Sequence, residues 1–269
     1  MSVASRRGEH LIFPETAARI SRWRDDPSVL GVLLVGSKSH EHHDDLSDDD
    51  LEVVLREEAY AKLRPADGIE ILATGEGSQR KLLYDAQFVS MVQFSSRVTS
   101  PLDLDHWPYE RARVLFDREG DLLPLVESLG KMNPEFRQLR LTHATIDAWI
   151  AVYRAQKTAK RGQAASSRLL VSRAARALTR LLFALESRWV PLDHWWAAEL
   201  HTLRTNPDAV ELLIAGLDEN DPAKLSSALE LLEQALAAEG VPGPAGRRDL
   251  FLELVHASRA EERAIHGLV

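Results

Sequence analysis

Short apolar runs broken by turn-forming residues fill the first half of the chain, whereas the second half repeats apolar side chains at steps of three and four. In "PETAARISRWRDD", Pro14 and Glu15 open a segment that spaces Ala18, Ile20 and Trp23 like the start of a helix. "SVLGVLLVG" is a continuous apolar run of strand length, as expected for a strand covered on both faces. Further strands are predicted at "LEVVL", "GIEILAT" and "LLYDAQFVSM", divided by the helical "REEAYAKLR" and the turn-rich "TGEGSQ". "ARVLFDREGDLLPLVESL" reads as a short strand, a turn at Gly120 and a helix.

From about residue 134 turn signals thin out. In "SRLLVSRAARALTRLLFALESR", Leu170, Ala174, Ala177, Leu178, Leu181, Leu182 and Leu185 form one apolar face, with Arg168, Ser172, Arg176 and Arg180 on another. "SSALELLEQALAAEG" and "RRDLFLELVHASRAEERAIHG" repeat the pattern around a hinge, "GVPGPAG". The expected class is α+β: a mixed sheet with flanking helices over residues 1–130, then an all-helical domain over 131–269.

Composition restricts the chemistry. The 269 residues include no cysteine, so metal ligands can come only from His, Asp and Glu, which favours a hard cation such as Mg²⁺. "MSVASRRGEHLIF" lacks the apolar core of a signal peptide, and no window approaches the roughly 18 apolar residues of a membrane span, so a cytoplasmic, membrane-free protein is expected. A net charge of −8 disfavours unspecific nucleic-acid binding and suits a cationic partner.

The acidic residues gather in "VLLVGSKSHEHHDDLSDDDLEVVL", between the first two apolar strands. Gly36-Ser37 at a strand end offers backbone N–H groups, a hydroxyl and no Cβ at the glycine, an arrangement that can cradle phosphate. Side chains alternate along a strand, so Asp48, Asp50 and Glu52 would share one side and Leu51, Val53 and Leu55 the other. Clustered carboxylates stay ionised only with positive charge among them, which a divalent cation supplies. Asp85, inside a third apolar strand, is either a further metal ligand, a general base or half of a structural ion pair. "HEHHDD" offers His40, His43 and Asp44 as a surface metal site, and Trp189, Trp195 and Trp196 could stack on a base or sugar.

Gly36-Ser37, twelve residues, then Asp-Leu-Glu-Val at 50–53 resembles the signature of nucleotidyltransferases related to DNA polymerase β. The resemblance implies carboxylates on one strand with a third on a neighbour, two Mg²⁺ ions, and ATP or another nucleoside triphosphate as co-substrate. It leaves two pairings open, Asp48 with Asp50 or Asp50 with Glu52; Asp50 belongs to both. Under it Gly36, Ser37 and Lys38 would bind the nucleotide, and Lys157, Lys160 and Arg161 would meet the triphosphate from the helical domain. "RAQKTAKRGQ" and "LESRWVPLDHWW" resemble the helical domain of aminoglycoside-type nucleotidyltransferases, where it completes the substrate site. The expected activity is transfer of a nucleoside monophosphate to a hydroxyl of a small, cationic acceptor, with release of pyrophosphate. Transfer to a protein hydroxyl, as in toxin–antitoxin pairs, and a non-catalytic nucleotide-binding regulator are the rival functions; the long helical half leaves room for a homodimer.

Overall fold

The computed structural model describes residues 12–257 apart from Glu41 and His43. Among the described residues the chain forms two compact units, one of residues up to 100 together with 105–131, the other of 101–104 together with the residues from 132 onward.

The first unit is built on a five-stranded mixed sheet in the order β3-β4-β2-β1-β5. Helix α1 (Pro14–Asp25) leads into β1 (Val29–Val35) and a single turn, α2 (Gly36–Ser39). Then come β2 (Asp49–Leu55), the one-turn α3 (Glu57–Tyr60), β3 (Ile69–Thr74), β4 (Lys81–Ser90), α4 (Met91–Ser96), β5 (Arg113–Asp117) and α5 (Leu122–Leu129). The predicted helix "REEAYAKLR" is thus cut to one turn; Pro65 follows soon after, opening a 3₁₀ turn (Pro65–Asp67).

β2 runs antiparallel to β1 and parallel to β4, so the centre of the sheet is covered on both faces. On one face α1 lays Ile20 and Trp23 against Val32, Leu34, Leu51, Val53 and Leu55. On the other, Leu30, Leu33, Val54 and Val89 pack with Phe94, Tyr109 and the α5 residues Leu122, Val126 and Leu129. Two apolar layers of this kind fix the register, because a slip of one residue along β2 would exchange its faces.

The second unit is helical: α6 (Pro134–Lys160), α7 (Ala164–Leu185), α8 (Trp196–Leu200), α9 (Pro207–Asp218), α10 (Pro222–Ala238) and α11 (Arg247–Ala257). Asn133 caps α6 by accepting from the N–H groups of Glu135 and Phe136. α6 and α7 pack along each other with small buried side chains, Ala144, Ala148, Ala151 and Ala155 on α6 and Ala174 and Ala177 on α7, so the backbones come close. No described helix is long and apolar enough to cross a membrane.

Candidate metal centre

β1 ends at Gly36, which takes a φ of +69°, a conformation open to glycine but strained for other residues. Space enforces the same choice: a Cβ at Gly36 would lie 1.9 Å from Oδ2 of Asp50. The backbone N–H of Ser37 in the turn that follows pulls the Asp50 carboxyl down, against the larger effect of burial. The Gly36 carbonyl accepts from the His40 N–H (3.2 Å) and the Ser39 hydroxyl (2.8 Å). Ser37 is 5% exposed, and among the described residues its hydroxyl has no hydrogen-bond partner.

The strand pairing then brings the acids together. Asp50 pairs with Val35 on β1 and with Asp85 on β4. Asp48 enters from the residue before the strand. One carboxylate oxygen from each of Asp48, Asp50 and Asp85 lies within 4.8 Å of the others, and all three residues are half-buried. No lysine or arginine among the described residues forms an ion pair with them. Burial first, then the charges of Asp48 and Asp85, push the Asp50 carboxyl up to about 7; burial and Asp48 push Asp85 up as well.

A cation of high charge density fits this donor set. The donors are hard carboxylate oxygens gathered within 4.8 Å of one another, the ligand type such a cation takes. Asp48, Asp50 and Asp85 would hold it.

Glu52 does not join the group. It shares a face with Asp50 but lies two residues further into the sheet, where it is 4% exposed. Arg97 and the Tyr109 hydroxyl both donate to its carboxylate, and Arg97 also donates to the Tyr109 oxygen. Burial pushes Glu52 up, against the opposing pull of Arg97 and Tyr109. Expected as a metal ligand, Glu52 instead has both carboxylate oxygens engaged, by Arg97 and by Tyr109.

Lys38, expected to meet the nucleotide, is 6% exposed, its ammonium 2.5 Å from Asp49 and 3.8 Å from the centre of the Phe13 ring. Asp49, fully buried on the face opposite Asp50, also accepts the Phe13 N–H at 2.9 Å. This clamp joins the Gly36–Ser37 turn, β2 and the entry to α1, and nothing in the sequence near Lys38 marks Phe13 as its neighbour.

His40 is fully buried, stacked on Trp107 at 4.3 Å, so it does not form a surface metal site; His43 lies outside the described residues. Lys157 and Lys160 belong to the helical unit, exposed at the end of α6. Trp189 is core, 2% exposed and tilted against Phe136, while the indole N–H of Trp196 donates to Thr179.

Residues 107–196 match the model of a family described as a domain of unknown function (DUF4037). That stretch contains Tyr109 but none of the three clustered aspartates. No curated protein matches the chain. Among solved structures the chain is similar to a nucleotidyltransferase-like protein from Exiguobacterium sibiricum 255-15, with 18% identity, a TM-score of 0.45, and coverage of 91% of this chain and 80% of the other.

Proposed function

We propose that the chain is a Mg²⁺-dependent nucleotidyltransferase that moves a nucleoside monophosphate from a triphosphate such as ATP to a hydroxyl of a small acceptor, releasing pyrophosphate. The observation that carries this reading is the meeting of Asp48, Asp50 and Asp85 beside the Gly36–Ser37 turn, without a cationic side chain of their own. Three ionisable acids in that position invite a divalent cation, and a turn with a bare Cα and an unengaged hydroxyl invites phosphate.

Asp48 and Asp50 hold the metal from one strand and its approach, and Asp85 completes the set from the neighbouring strand. The Ser37 hydroxyl binds a phosphate oxygen, while its N–H keeps Asp50 oriented. Gly36 leaves room for Asp50 to lie against the turn. When bound, Mg²⁺ neutralises charge on the phosphates and lowers the pKa of a coordinated hydroxyl. The remainder of catalysis is positioning of reactants by a rigid sheet.

The first unit carries this chemistry, and the helical unit is assigned to recognition of the acceptor. The chain's net charge of −8 supports a cationic acceptor such as an aminoglycoside. The test is pyrophosphate release from each ribonucleoside triphosphate with Mg²⁺, against a panel of aminoglycosides and other hydroxylated antibiotics, with Asp50→Asn as control. Acceptor-dependent release lost in the variant supports transfer. Triphosphate binding without release across the panel moves the assignment to a protein target or a regulator, and absence of triphosphate binding overturns it.

A further inference from the structure

The helical unit holds a concentration of arginines that its own carboxylates do not satisfy. Arg140, Asp147 and Arg154 recur every seven residues on α6, and Arg173, Arg176 and Arg180 stand on α7. Asp147 accepts from Arg173 at 2.8 and 2.6 Å, and Asp103 takes Arg140. Arg176 pairs with Asp193 only at the surface, where both side chains are more than half exposed and the bond contributes little.

Arg180 remains. It is half-buried, and among the described residues neither a hydrogen bond nor an ion pair engages its guanidinium. Burial, followed by the charge of Arg140, lowers its pKa, with Asp103 and Asp147 pulling the other way. Arg140, although paired with Asp103, is only partly satisfied. It is 1% exposed, and its Nε–H is buried without a partner. A desolvated guanidinium beside a second one is costly unless an acceptor joins them. Sequence periodicity places Arg180 on the polar face of α7, where an ordinary solvated arginine would stand.

We infer that α6 and α7 form a binding site for an anionic group, a phosphate or a carboxylate of a ligand, with Arg180 as the direct contact. The charges of Arg140 and of Arg176, four residues earlier on α7, add positive potential at it. The planar fork of Arg180 suits two oxygens of one such group. The site needs no metal and does not depend on the three aspartates, so it stands or falls separately from the transfer reaction.

The experiment uses the full chain in EDTA at low salt, with thermal unfolding and calorimetry in the presence of inorganic pyrophosphate or, in a second arm, citrate. Binding of either by the wild type, weakened at least tenfold in Arg180→Met and less in Arg180→Lys, supports the site; the stronger arm identifies phosphate or carboxylate as its ligand group. In the absence of ligand, Arg180→Met should melt no lower than wild type, because it removes a half-buried cation that no acceptor engages. An arginine that merely supports the helix pair predicts a lower melting temperature instead. Absence of binding in both arms, or equal binding by wild type and Arg180→Met, overturns the inference, and the Arg180→Lys comparison decides if Arg180→Met fails to fold.

Discussion

Asp50 and Asp85 stand directly opposite each other on neighbouring parallel strands, two acids paired across a ladder whose next positions are Leu51 with Ala86 and Glu52 with Gln87. Opposed like charges destabilise a strand pair unless something between them is positive. Asp50→Asn is therefore expected to reduce nucleotidyl transfer by roughly 10³-fold, the scale of losing a principal electrostatic group. The metal-free variant should melt at or above the wild-type temperature. Activity within tenfold of wild type would exclude Asp50 from the reaction.

The pH dependence follows from the same pair. The Asp50 carboxyl lies at about 7 in the folded chain against an ordinary 3.8. A raised carboxyl holds its proton more tightly when folded, so its stabilising contribution is complete below pH 3.8 and is lost as pH rises through about 7. Asp85 is raised too and acts in the same direction. Thermal unfolding in EDTA should show wild type losing stability across that window relative to Asp50→Asn. Mg²⁺ affinity should rise by about tenfold per pH unit as the proton is displaced. Parallel stability profiles for the two proteins would contradict the raised carboxyl.

Gly36→Ala sets a Cβ against the Asp50 carboxylate at a backbone angle that disfavours it. Strain of this kind costs about 1 to 3 kcal/mol. Denaturant unfolding should register that loss, and calorimetry should register weaker Mg²⁺ binding, because the displaced group is a ligand. Loss of stability with unchanged metal affinity would separate the turn from the centre.

Glu52→Gln tests the division of labour along β2. With its carboxylate committed to Arg97 and Tyr109, the variant should bind Mg²⁺ within about threefold of wild type, an energy below 1 kcal/mol. Arg97→Met should cost far more stability, about 3 to 5 kcal/mol, by leaving Glu52 buried without its charge partner. Abolished metal binding in Glu52→Gln would restore Glu52 to the ligand set.

Lys38→Met isolates the clamp on the other face. Removing the ammonium strands Asp49 in the interior, at a cost of about 3 to 5 kcal/mol in denaturant unfolding. An exposed phosphate ligand would instead lose nucleotide affinity at unchanged stability, so the two measurements together decide the role of Lys38.

The strands of the sheet were legible because their apolar runs are uninterrupted and bounded by turn residues; "LEVVL" and "LLYDAQFVSM" leave few alternatives. Asp48, Asp50 and Asp85 were legible as acids at odds with apolar surroundings. The choice between Asp48 and Glu52 was not, since alternation turns Asp48, Asp50 and Glu52 one way, and what distinguishes Glu52 lies 45 and 57 positions away at Arg97 and Tyr109. Residues 91–109, which carry both partners, form short helical turns with no sustained period, so they offer little to a reader of patterns. The burial of Lys38 was not legible for a related reason: a long basic side chain is ordinarily exposed, and only its tertiary neighbours Asp49 and Phe13 reveal it as buried.

Asp48, Asp49 and Asp50 are chemically one residue repeated, yet the chain uses them on opposite sides of a strand. Identity of side chain therefore gives them no interchangeability; parity does the sorting. Extra residues inserted between His40 and Ser47 would lengthen a loop and leave that sorting intact. A single residue inserted between Asp49 and Asp50 would, with the core holding Leu51 and the residues after it in register, carry Asp49 off the Lys38 side, although every aspartate would still be present.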